Sequence, residues 1–154
     1  SESLNYVGEA MLMQGHPSKS LPFFIRALAV RRVAYGDDHP AVAHVLGLLA
    51  SAQRNLGRFT ESKMSFLECI EICEKFFKPN HPNLIPNLMN YGKLLVLTKE
   101  WSECVDVLEN ALKIHKDAGR SGGVEEELVK TISLAKGHLG DENMVIYKTS
   151  GIDD

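Results

Sequence analysis

Residues 36–40 read Gly36-Asp37-Asp38-His39-Pro40, and the closing His-Pro pair returns as His81-Pro82, 42 residues further on. The same offset then aligns residue types on either side of the pair. Leu4, Leu46 and Leu88 fall in one column, and Val7, Leu49 and Tyr91 in another. Gly8, Ala50 and Gly92 form a small column; Ser20, Ser62 and Cys104 form a second, and Ala27, Cys69 and Ala111 a third. Phe24, Phe66 and Leu108 form a bulky column. Leu28, Ile70, Leu112 and then Val30, Ile72, Ile114 complete the register. A chain that repeats itself at such a period is built from one supersecondary unit used several times.

Inside each copy the period is helical. Phe66, Cys69, Ile70 and Cys73 step by three and four, as do Leu88, Tyr91, Gly92 and Leu95, which places them on single helix faces. Gly15 and Gly57 end the first helix of a copy, and residues 36–40 end the second. Pro40 and Pro82 then sit in a first helical turn, where a missing N–H costs little, with Asp38 and Asn80 as the expected N-caps. The unit is helix, turn, helix, with helices expected at about 3–14, 18–35, 40–56, 60–77, 82–98 and 101–118. After the flexible stretch Gly119-Arg120-Ser121-Gly122-Gly123, Val124, Leu128, Ile132, Ala135 and Leu139 line a seventh helix that loses the repeat phase. A stack of hairpins leaves its last apolar face open, so this helix is expected to cap it. The expected organisation is one domain over residues 1–140: repeats at about 2–38, 39–80 and 81–119, and a capping helix at about 123–139. Residues 141–154 are expected to form a loosely ordered tail.

These positions carry a family resemblance. The spacing of Leu4, Val7, Gly8, Ser20, Phe24 and Ala27 resembles the tetratricopeptide repeat. The 42-residue unit, its His-Pro linker and the run Leu56-Gly57-Arg58-Phe59-Thr60-Glu61-Ser62 look more particularly like kinesin light chain repeats. The resemblance covers about residues 2–118. Departures are Ser20, Ser62 and Cys104 where that family usually has Ala, and Gly47 and Met89 where it has Asn; Asn5 follows the rule. The resemblance implies an all-α fold, a right-handed superhelical stack of hairpins whose helices approach closely at the small positions. Phe59 and Trp101 are expected to wedge between the helices of their own hairpins.

Composition narrows the function. The 154 residues are 44% hydrophobic and 24% charged, enough for one core, and the formal charge of -3 leaves no footprint for nucleic acid. No apolar run approaches the ~20 residues of a membrane helix. The opening Ser1, Glu2, Ser3 lacks the make-up of a signal peptide, and a start without Met suits an excerpt of a longer chain. A soluble cytoplasmic protein is expected. Cys69, Cys73 and Cys104 fall inside helical patterns and suit a reducing compartment as buried structural thiols. Cys69 and Cys73 share a face, but no further ligand completes a metal site.

Curved stacks line an inner groove with the first helices of successive hairpins. By position the groove candidates are Asn5, Glu9, Leu12 and Met13; His44, Leu48, Ser51, Arg54 and Asn55; and Asn90, Lys93, Val96 and Leu97. Arg54 offers a bidentate fork, Lys93 a point charge, and Asn55 and Asn90 amides for an extended backbone. A protein or peptide partner, acidic or anchored by apolar side chains, fits this set; the alternative is that Arg54 and Lys93 are solvated surface charges. His39 and His81 recur with the linker and are expected to work at a helix start rather than in catalysis. No phosphate loop, nucleophile elbow or zinc motif is present, so no cofactor, metal or enzyme activity is expected. The competing role is self-association through an uncapped helical face.

Overall fold

The computed structural model describes residues 2–150. Among them are seven α-helices, one 3-10 turn and no strand. The helices are α1 (Glu2–Met13), α2 (Pro17–Tyr35), α3 (Pro40–Asn55), α4 (Phe59–Phe77), α5 (Ile85–Thr98), α6 (Trp101–Asp117) and α7 (Gly123–Ser150), with the 3-10 turn at Pro82–Leu84 leading into α5. Consecutive helices pack in pairs, α1 with α2, α3 with α4 and α5 with α6, and each pair leans on the next through α2–α3, α4–α5 and α6–α7. The architecture is an all-α stack of hairpins. No helix among the described residues is long and apolar enough to cross a membrane.

The small columns set the distance within a hairpin. A Cβ on Gly8 would lie 2.6 Å from Phe24 Cε1, and one on Gly92 would lie 2.4 Å from Leu108 Cδ2. Each glycine therefore faces the bulky residue sixteen positions later, and Ala50 and Phe66 share the core in the same way. A hydroxyl or thiol repeats the same crossing: Ser62 Oγ donates to the Ala50 carbonyl at 2.7 Å, and Cys104 Sγ to the Gly92 carbonyl at 3.7 Å. In the first copy Ser20 instead donates to the Pro17 carbonyl one turn back. Ala27, Cys69 and Ala111 are fully buried.

Helix starts differ from expectation. The N-caps of α3 and of the 3-10 turn are His39 and His81 rather than Asp38 and Asn80. Their Nδ1 atoms accept from the Ala41 and Asn83 amides, both at 3.1 Å. Pro at the first helical position has no N–H, so the next amide is the first that needs an acceptor, and the imidazole reaches it. Each ring also stacks on the last aromatic of the preceding helix, Tyr35 on His39 at 4.6 Å and Phe77 on His81 at 5.0 Å between centroids.

Two further expectations are corrected. Phe59 is exposed at the start of α4, and Trp101, though buried, stacks on His138 of α7 with centroids 4.3 Å apart. Trp101 thus joins the third hairpin to the cap while lying in the same core cluster as the α5 side chains. The capping helix does not stop near 139 but continues through 141–150, because Gly140 keeps helical dihedrals instead of the left-handed turn that ends a helix. Residues 151–154 of the expected tail lie outside the described residues.

Candidate functional site

The first helices of the three hairpins and α7 lie along one side of the stack, and three clefts open between them. Between α1 and α3 a cleft of ≈ 230 Å³ is lined by Asn5, Tyr6, Glu9, Arg31 and His44. Between α3 and α5 a cleft of ≈ 360 Å³ is lined by, among others, His44, Leu48, Ser51, Phe77, Asn87 and Asn90. A third cleft, of ≈ 660 Å³, separates the start of α5 from the α6–α7 connection. His44 belongs to both of the first two, which makes them one continuous surface.

Asn5 is not the exposed groove residue the sequence suggests. It is 3% exposed, and neither its Nδ2 nor its Oδ1 has a hydrogen-bond partner. Glu9 and His44 line this surface. Ser51 does too, with its hydroxyl donating to the Gly47 carbonyl at 2.9 Å. Leu12 packs into the N-terminal core instead, since the first pair of helices buries that side of α1. Met13 and Asn55 are exposed and line none of these clefts. Val96 packs against the main core, and Leu97 is exposed.

The two cations are engaged. Arg54 Nη1 donates to the Asn90 carbonyl at 3.1 Å and so ties α3 to α5, with burial holding its pKa below the ordinary guanidinium value. Lys93 pairs with Glu127 of α7 at 3.0 Å, which makes it a strut to the cap rather than a free point charge. Related struts cross the other joints: Arg32 with Glu68 at 2.5 Å, and Lys63 with both Glu100 and Glu103. The paired carboxylates raise the Lys63 pKa, and Lys63 in turn lowers that of Glu100.

Sequence reasoning missed Asn83, Asn87 and Phe77. The asparagines step with Asn90 by four and three from the 3-10 turn into α5, a pattern that was available to be read. Phe77 reaches the cleft from a second helix, where only packing could place it. The result is a surface of amides, one imidazole and a few apolar side chains. Cys69, Cys73 and Cys104 are buried free thiols. Among the described residues no three His, Cys, Asp or Glu converge as metal ligands.

The comparisons agree with this architecture. A tetratricopeptide repeat family model matches residues 1–59 and again 45–117. Protein KINESIN LIGHT CHAIN-RELATED 3 of Arabidopsis thaliana is 26% identical over 111 residues, covering 71% of this chain and 17% of the relative. Tetratricopeptide repeat protein 19, mitochondrial, of Homo sapiens is 24% identical over 123 residues, covering 78% and 32%. The chain therefore spans less than a third of the length of either relative. A crystal structure of Podosopora anserina putative kinesin light chain nearly identical TPR-like repeats superposes with a TM-score of 0.78 at 16% identity, over 99% of this chain and 77% of that one. BtubC (BKLC) from P. vanneervenii superposes with a TM-score of 0.72 at 15% identity, over 98% and 65%. These structural likenesses show the same stack of helical hairpins. With its repeats matched twice over, this chain belongs to the tetratricopeptide repeat family.

Proposed function

We propose that the chain is a non-catalytic interaction module that takes an extended peptide segment of a protein partner along the face formed by α1, α3 and α5. Tetratricopeptide repeats generally mediate protein–protein interaction. The observation that carries the finer reading is Asn5, a buried amide in the wall of the α1–α3 cleft with both polar atoms unpaired. Each such atom costs about 1–3 kcal/mol when left unmade. An extended peptide presents one N–H and one C=O per residue, which match that donor and acceptor. Leu48 and Phe77 supply an apolar anchor site further along, and the unused donors of Arg54 favour a partner carboxylate.

The test is selection of binding peptides from a displayed random library, followed by Asn5→Ala. This variant removes an unsatisfied buried group, so it is expected to melt at or above the wild-type temperature while losing about tenfold in affinity, the worth of two net hydrogen bonds. Unchanged affinity refutes the reading. Buried free thiols favour a reducing compartment such as the cytoplasm for the module.

Self-association has its own supporting observation. Val7 is 41% exposed, whereas its repeat counterparts Leu49 and Tyr91 are 7% and 1% exposed beneath the preceding hairpin. The face of α1 that other copies use for stacking is uncovered. Sedimentation equilibrium over a wide concentration range separates the readings: a dimer abolished by Val7→Lys supports self-association, and a persistent monomer excludes it.

A further inference from the structure

The outward face of α2 breaks the pattern of the stack, and the repeat register supplies its own comparison. Pro22, Ile25, Ala29 and Val33 step by three, four and four and so share one side of α2 over about 16 Å. All four are exposed, Ile25 at 58% and Val33 at 90%. One repeat later the same positions hold Met64, Leu67, Glu71 and Lys75, and two repeats later Asp106, Glu109, Lys113 and Asp117. On α6 this side is wholly charged, as suits a helix face open to water. On α2 it is wholly apolar with nothing over it among the described residues, and on α4 Met64 and Leu67 are exposed as well. Contiguous exposed apolar surface of this kind marks a contact site.

Charge divides the same surface in two. α2 carries Lys19, Arg26, Arg31 and Arg32 and no acidic residue. Arg31 turns the other way and lines the α1–α3 cleft, so the stripe lies on the opposite side of α2 from the peptide face. Lys19 and Arg26, three residues before and four after Pro22, edge the stripe and make no ion pair among the described residues. Beside them α4 turns out Glu61, Glu68, Glu71 and Glu74, with Lys75 among them. The pair of Arg32 with Glu68 at 2.5 Å fixes the two helices side by side. A uniformly anionic membrane or a single acidic segment would be attracted by one half of this surface and repelled by the other. A surface bearing both signs in reversed order matches it, and a copy of the same surface turned about a twofold axis is such a surface.

We infer that the outward face of α2 and α4 is a twofold interface between two copies of this chain, with Ile25 and Val33 of one copy set on Met64 and Leu67 of the other and the cations of α2 opposite the glutamates of α4. The inference rests on the self-association reading but moves the joint away from Val7, which lies on α1. A patch two helices wide and three turns long is at the small end of specific interfaces, so the dimer is expected to form in the micromolar range.

The measurement is sedimentation equilibrium of the full chain up to about 1 mM, which resolves association of that strength. Val33→Asp puts on α2 the residue type that α6 already carries at this position, so the fold is unaffected. It is expected to weaken the dimer about 100-fold, because a twofold interface loses the contact twice. Lys19→Glu with Arg26→Glu makes both halves of the patch acidic, and Glu71→Lys with Glu74→Lys makes both halves basic. Each double variant is expected to be monomeric, and an equal mixture of the two to associate again. Circular dichroism melts check that every variant stays folded. A chain monomeric throughout, a dimer indifferent to Val33→Asp, or a mixture that fails to associate overturns the inference. A monomer that cosediments with phosphatidylserine vesicles, or that binds an acidic helical peptide through α2, overturns it in favour of that partner. A dimer lost in Val7→Lys but kept in Val33→Asp sinks this joint alone and leaves self-association through α1 standing.

Discussion

Replacing Gly92 by Ala tests the close approach on which each hairpin depends. In an open helix the change adds about 1 kcal/mol of stability through helix propensity. At Gly92 the new Cβ would stand 2.4 Å from Leu108 Cδ2 and 2.8 Å from Cγ. The second contact involves the branch carbon, so the clash is not relieved by turning a methyl tip. Leu108 is buried in the main core and must be displaced against its neighbours. Overpacking costs about 1–3 kcal/mol, and a contact at the branch carbon belongs in the upper part of that range. Set against the propensity gain, the net loss is about 1–2 kcal/mol, a fall of roughly 3–6 °C in Tm for a chain of this length. Gly137→Ala is the matched control: it lies within α7, and its Cβ would meet nothing within 4 Å. The control is expected to gain up to about 1 kcal/mol. Urea unfolding followed by circular dichroism, with unchanged slope, reads both. If Gly92→Ala proves as stabilising as Gly137→Ala, the hairpin geometry is refuted.

Other expectations follow from the same contacts. His39→Ala should cost about 1 kcal/mol, as loss of an N-cap does, while His39→Asn should largely restore the midpoint of a thermal melt. His138→Ala removes the stack on Trp101, worth about 0.5–1.5 kcal/mol, and should raise hydrogen exchange in α7 ahead of α3 and α4. Lys63 lowers the folded-state pKa of Glu100, so that pair stabilises above the ordinary carboxylate value of 4.5 and its contribution fades as pH falls through the lowered value. The stabilities of wild type and Glu100→Gln should accordingly differ at neutral pH and converge in acid. Lys99 holds φ at 59°, a left-handed conformation glycine adopts freely, so Lys99→Gly should gain up to about 1 kcal/mol in the same denaturation assay.

The fold was legible because the columns that repeat are the ones that pack. Gly8, Ala50 and Gly92 face Phe24, Phe66 and Leu108, and only such size pairing permits the crossing. The role of His39 and His81 at a helix start was legible from their recurrence, whereas the capping atom was not, because Asp38 and Asn80 are the better cap formers by type and only geometry brings the ring nitrogens to the amides. The site was read less fully. Asn5, Arg54 and Lys93 were placed by phase, which says which face a residue occupies but not what lies opposite. Lys93 meets Glu127 on a helix that has left the repeat register, and Arg54 meets a backbone carbonyl, which has no signature in sequence. The length of α7 was missed because Gly140 resembles a stop and behaves as an ordinary helical residue.

The apolar interior is divided, and the division runs along α3. Val42, Leu46 and Ala50 belong to the large cluster shared with α4–α7, whereas Val45, Leu49 and Ala52 belong to a small one shared with α1 and α2. One helix thus serves as the wall between two rooms of unequal size. The leading hairpin can peel away at the cost of the smaller room and of the struts that cross to it, Arg32–Glu68 among them, leaving the remainder upright. Stability then grades along the chain, weakest at its beginning. A guest lying across the whole face would clamp the loose end, while a shorter one seated beyond α3 would leave it free to open and close.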